Sequence, residues 1–114
     1  MLVDWLLAFV ATVLIEAAIV VAATRDLGLT LKRRSLVALG AQALTHPLVW
    51  FVFPRLPGAA EAWFWFSELT AVVLEGLLYA RALTGLGTLR AFGLAAVANA
   101  LSLGAGVAWN ALTG

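Results

Sequence analysis

The chain reads as an all-α integral membrane protein, a four-helix up-and-down transmembrane bundle. Three observations lead there. Of its 114 residues, 64% are hydrophobic and only 11% are charged, outside the usual range of soluble domains. The apolar residues gather in four runs, each near the roughly 20 residues that a helix needs to cross about 30 Å of hydrocarbon. The connections between them are short enough to make consecutive helices antiparallel neighbours. Nothing is left over for a soluble domain, so residues 1–114 form a single transmembrane domain.

The expected spans are residues 2–24, 35–53, 62–82 and 89–112. The first carries Glu16 near its middle. Asp4 stands where a secretory signal would need basic residues, and the run is too long for one, so it is read as a retained span. The second is stopped by Pro54 and Pro57 and contains Pro47, which cannot donate to the carbonyl of Ala43. That predicts a hinge between Ala43 and Pro47, with backbone oxygen exposed beside Gln42 and His46.

The third span organises the rest. Glu68 and Glu75 are almost two helical turns apart and share a face with Val72, and Tyr79 follows one turn further on. Each carboxyl at membrane depth costs a few kcal/mol on insertion scales, so the face must meet protein, water or a bound ion. Tyr79 by itself also fits an interfacial anchor. The fourth span places Asn99 and Ser102 on one side, and Ala98, Ser102 and Gly106 form a small-residue seam suited to close helix packing or to a dimer interface.

Orientation follows from the basic residues. Arg25, Lys32, Arg33 and Arg34 occupy the first connection, and Arg81 and Arg90 bracket the third. The second has only Arg55, balanced by Glu61. The first and third connections are therefore expected inside and both termini outside. Trp5, Trp50, Trp63, Trp65 and Trp109 fall toward the outer ends, as an interfacial belt would. The expected location is a prokaryotic inner membrane, multi-pass, with the lipid bilayer as partner. A net charge of +1 gives no basic surface for nucleic acid. The absence of cysteine removes thiolate chemistry. The two halves of the chain show no internal repeat.

At about 1.5 Å per residue, Glu16, Gln42, Glu75 and Asn99 reach similar depths of roughly 10–14 Å from the inner end, and His46, Glu68 and Ser102 lie at about 16–21 Å. Thr12 sits one turn from Glu16, and Thr45 shares a side with Gln42 and His46. These residues are expected to form one intramembrane polar core. The leading functional expectation is a small transporter or channel in which this core binds protons or a cation, with Pro47 as hinge. An alternative is an intramembrane metal-dependent enzyme or cofactor-binding protein, with a divalent metal held by His46, Glu68 and Glu75. A second alternative is an accessory subunit whose polar face meets a membrane partner subunit. No HExxH, nucleophile elbow or phosphate loop is present.

The length, the four short spans and a carboxylate in the middle of the first helix, here Glu16, resemble the small multidrug resistance family. That resemblance implies proton exchange for cationic substrates within a homodimer. It covers architecture and one residue. The chain departs from the family in carrying Glu68, Glu75 and His46, and in lacking its Gly- and aromatic-rich third-helix pattern. A homodimer is expected also because four helices of this length enclose only a narrow site by themselves.

Overall fold

The computed structural model describes residues 2–48, 58 and 60–113. All regular structure among them is helical: α1 Leu2–Ala23, α2 Leu31–Pro47, α3 Ala60–Ala82 and α4 Thr88–Thr113, with a turn of 3-10 helix at Arg25–Leu27 between α1 and α2. There is no strand among the described residues.

The first connection is built from local hydrogen bonds. The Thr24 hydroxyl donates back to the Val20 carbonyl at 2.6 Å as α1 ends. Gly28 takes φ 73°, a left-handed conformation that other residues enter only at a cost. Thr30 then caps α2 by accepting from the Arg33 N–H at 3.1 Å. This cap starts α2 at Leu31, ahead of residue 35, where the basic run had suggested loop. Lys32, Arg33 and Arg34 are good helix formers, and two of their guanidinium groups have work on neighbouring helices. Arg34 donates to the carbonyls of Val21 and Leu29, and Arg33 donates to that of Ala82 at 3.1 and 3.3 Å. Arg90, in the first turn of α4, donates to Ala23 O at 3.2 Å and pairs with Asp26. The ends of α1 and α3 thus have carbonyls that would otherwise lack partners satisfied by cations from α2 and α4.

These contacts also fix direction. Val21 meets Arg34 while Phe9 meets His46; Ala82 meets Arg33 while Glu75 meets Gln42; Ala23 meets Arg90 while Thr12 meets Ser102. Each pair of neighbouring helices is antiparallel. The helices pack in chain order around a ring, with α4 returning to α1. Between α3 and α4, a Cβ on Gly76 would stand 2.4 Å from the ring of Phe92, so a larger residue there would require that ring to move.

Polar groups lie inside the bundle beside an apolar core, and many large apolar side chains lie outside. Large apolar side chains face outward on all four helices, among them Leu14, Leu39, Leu69, Val97 and Trp109. Glu16, Gln42, Thr45, His46, Ser67 and Glu75 are buried. The apolar core lies toward the end where α1 turns into α2 and α3 into α4, around Val20, Tyr79, Leu83, Leu86 and Ala95.

Two helices, over Leu6–Ala23 and Thr88–Trp109, are long and apolar enough to cross a membrane. The other two expected spans do not reach that mark among the described residues. α2 opens on three basic residues, and α3 carries Glu61, Glu68, Glu75 and Arg81. Pro47 is the last residue of α2; Leu48 after it keeps helical dihedrals (φ −63°, ψ −46°) and its N–H donates to the Thr45 carbonyl. The rest of the second expected span, to residue 53, lies outside the described residues, together with Trp50, Pro54, Arg55 and Pro57.

Candidate functional site

Among the described residues, Glu75 is a carboxyl held by donors from two other helices. Its Oε1 accepts from Gln42 Nε2 at 3.2 Å and Asn99 Nδ2 at 3.1 Å, and its Oε2 accepts from Thr45 Oγ1 at 3.0 Å. The donors come from α2 and α4 and converge on α3, so three helices are tied together through one carboxyl. Gln42 and Thr45 share a face of α2 because they are three residues apart. Asn99 uses its second amide hydrogen on Ala95 O at 2.8 Å, one turn back along its own helix.

The hydrogens available to this group permit two protonation states in one geometry. Thr45 has a single hydroxyl proton and lies 3.0 Å from two acceptors, Ala41 O and Glu75 Oε2. With Glu75 ionised, that proton serves the carboxylate. With a proton on Oε2, Glu75 donates to Thr45 Oγ1 and the hydroxyl turns to Ala41. Gaining or losing a proton therefore requires only rotation of a hydroxyl.

Glu16 is held differently. It is 0% exposed, and among the described residues neither carboxyl oxygen has a hydrogen-bond donor. It lies within electrostatic range of Glu75 and Glu68. The Tyr79 hydroxyl, also fully buried, has no partner among the described residues either. A carboxylate buried without donors is unfavourable by several kcal/mol, so Glu16 needs a proton, a cation or water. Tyr79 is a core residue, and the reading of it as an interfacial anchor is corrected.

Above Glu75, toward the ends of the helices away from the apolar core, lies a cavity of about 520 Å³. Gln42, Thr45 and Asn99, the three donors to Glu75, form part of its wall, as do His46, Glu68, Thr12 and Ser102. The Ser102 hydroxyl donates to Thr12 Oγ1 at 3.3 Å across α4 and α1. His46 packs its ring edge-on to Phe9, centroids 5.2 Å apart and planes at 76°. The remaining wall is apolar and includes Ala8, Phe64, Ala71, Leu103 and Val107.

The structure thus brings Glu75, Gln42, Asn99, Glu68, His46 and Ser102 to one cavity or its floor, and leaves Glu16 behind the floor. Thr45, grouped with Gln42 by spacing alone, turns out to be a direct partner of Glu75. The apolar wall residues carried no sequence signal separating them from lipid-facing ones. Among the described residues no group of three His, Asp or Glu side chains gathers where one metal ion could be held. Of the Ala98, Ser102 and Gly106 seam, Ala98 is 0% exposed within a single chain, while Ser102 and Gly106 line the cavity and Gly106 is exposed. The cavity is lined by residues of all four helices and is open along α4, where Gly106 and Val107 are exposed.

Compared with known protein families, characterised proteins and solved structures, the chain matches none. The likeness to the small multidrug resistance family rests on length, helix number and Glu16.

Proposed function

We propose that the chain is a small multi-pass membrane protein, and that its polar cavity binds protons or a cation for transport across the bilayer. The observation that carries this reading is the pairing of buried carboxyls with an apolar exterior. Two carboxyls, Glu16 and Glu75, are buried at the centre while leucines, valines and aromatic residues cover the outside of all four helices. In water that surface would drive aggregation, and lipid is the solvent that accepts it. In lipid, intramembrane ionisable groups are rare outside ion and proton pathways. The long dimension of 42 Å also fits a bilayer of about 40–45 Å including headgroups. Trp63, Trp65 and Trp109 fall at the cavity end, and Arg25, Lys32, Arg33, Arg34, Arg81 and Arg90 at the other. That is the distribution expected with the cavity facing out and the connections facing in.

Mechanistically, Glu75 is the exchanging group. Its protonation is accommodated by Thr45, and its donors form the cavity floor, where a cation or water can arrive. Glu16 supplies a second carboxyl in electrostatic contact with it, so a positive charge entering the site can be exchanged for a proton. The test is proton flux in proteoliposomes carrying a pH-sensitive dye and an imposed pH gradient. Wild-type protein should dissipate the gradient, Glu75→Gln should abolish the effect while the protein stays folded, and Thr45→Val should slow it several-fold. Equal flux in wild type, Glu75→Gln and Glu16→Gln would make the carboxyls structural and overturn the proposal.

A further inference from the structure

We infer that the corner where α2 begins and α3 ends is a binding site for the phosphate group of an anionic membrane phospholipid, held between Arg33 and Arg81. The inference rests on the placement of the chain in a bilayer proposed above and is independent of what the cavity carries.

Unbalanced charge is the first ground. Arg25, Lys32, Arg33, Arg34, Arg81 and Arg90 gather at this end of the bundle, and among the described residues Asp26 is the one acid that joins them. Asp26 is paired with Arg90, between the turn after α1 and the start of α4. Arg34 is partly buried and directs its N–H groups to the carbonyls of Val21 and Leu29. At the α2–α3 corner, by contrast, Arg33 rests its guanidinium on the Ala82 carbonyl, and Ala82 follows Arg81 in the chain. A carbonyl satisfies N–H groups but carries no net charge. Arg81 is exposed and makes no hydrogen bond or ion pair with a described residue. Two guanidinium groups therefore share a corner without an acid, an arrangement that an anion between them relieves.

Preorganisation is the second ground. Arg33 donates from Nε and Nη2 to Ala82 O, which fixes its planar fork, while its Nη1 donates to no described residue. Less side-chain freedom is then lost when a ligand arrives. A guanidinium meets phosphate oxygens in pairs and is weakly hydrated, which suits the headgroup layer of a membrane. The surface beneath the corner is the third ground, and it selects the source of the phosphate. Val37, Gly40 and Leu44 follow Arg33 on one face of α2, and Leu77 and Leu74 precede Arg81 on one face of α3. Gly40, Leu44 and Leu77 are exposed, and a Cβ on Gly40 would meet no atom within 4 Å. An acyl chain can lie along that surface while its phosphate stays at the corner. A soluble phosphate would use the two arginines and nothing below them.

The experiment is electron spin resonance of the purified protein in phosphatidylcholine vesicles carrying a trace of spin-labelled phosphatidylglycerol or spin-labelled phosphatidylcholine, which separates lipid held at the protein surface from bulk lipid. Phosphatidylglycerol should associate at least about threefold more strongly than phosphatidylcholine. Arg81→Gln breaks no hydrogen bond or ion pair to a described residue and should remove most of that preference, as should Arg33→Gln. Arg25→Gln removes the same charge from the turn after α1 and should leave most of the preference in place. Inorganic phosphate, compared with chloride at equal ionic strength, should not displace the labelled lipid. An unchanged preference in Arg81→Gln, an equal loss in Arg25→Gln, or displacement by phosphate would each overturn the inference. A surface-held lipid component without headgroup preference would also overturn it and leave the bilayer placement standing. Absence of that component for both lipids would overturn the placement and the inference with it.

Discussion

The two ends of the bundle are built on opposite principles. At the end formed by the α1–α2 and α3–α4 connections, Val20, Leu83 and Leu86 are buried to within 3% exposure, and Arg33, Arg34 and Arg90 satisfy helix-end carbonyls. At the other end α4 is exposed from Gly104 onward, and Val107 is 62% exposed. Between the helices there lies a cavity instead of a core. Polar groups meet at the junction, where Glu75 draws donors from two helices. Stability is concentrated in the first end and chemistry in the second, and substitutions at the two ends should therefore separate cleanly.

The largest expected effect is at the packed end. Leu83→Ala removes a fully buried side chain and should lower stability by about 2–5 kcal/mol, measured by denaturant unfolding in mixed micelles, while leaving cation binding unchanged. Val107→Ala at the open end removes little packing and should stay within about 0.5 kcal/mol. Equal losses at the two positions would dissolve the contrast.

The smallest effect concerns the Asp26–Arg90 pair, whose side chains are more than half exposed. Hydrogen bonds from the Arg90 guanidinium hold the Asp26 carboxyl below its ordinary value. A depressed carboxyl contributes stability above its unfolded-state pKa and loses it as pH falls through the folded-state value. Wild type should therefore show a slight loss of stability below the normal Asp range, and Asp26→Asn should show none of that component. Screening by salt should shrink the difference further. A large difference would mean that this connection carries more of the fold than its exposure allows.

Much of the helical framework was legible because membrane-length apolar runs bounded by arginine and glycine leave few alternatives. α1, α3 and α4 end within two residues of the expected bounds. The start of α2 was not legible. Three consecutive basic residues read as loop until Arg33 and Arg34 are seen to reach carbonyls on α3 and α1, a contact that only the packed bundle provides. The polar layer was readable from depth, since Gln42, Glu75 and Asn99 lie at one level by helical rise and do meet. Helical rise says nothing about which carboxyl receives the donors. Among the described residues Glu75 obtains three and Glu16 none. The direction of the Ala98, Ser102 and Gly106 seam was illegible for a related reason: small residues mark a close approach without naming the partner.

The most direct test of the whole arrangement uses the absence of native cysteine. Single-cysteine variants at Ser102, on the cavity wall, and at Ala91, 0% exposed in the packed end, are treated with a membrane-impermeant thiol reagent on intact cells. Labelling of Ser102→Cys from outside, with Ala91→Cys unlabelled, is the expected result. Labelling of Ala91→Cys with Ser102→Cys protected would contradict it.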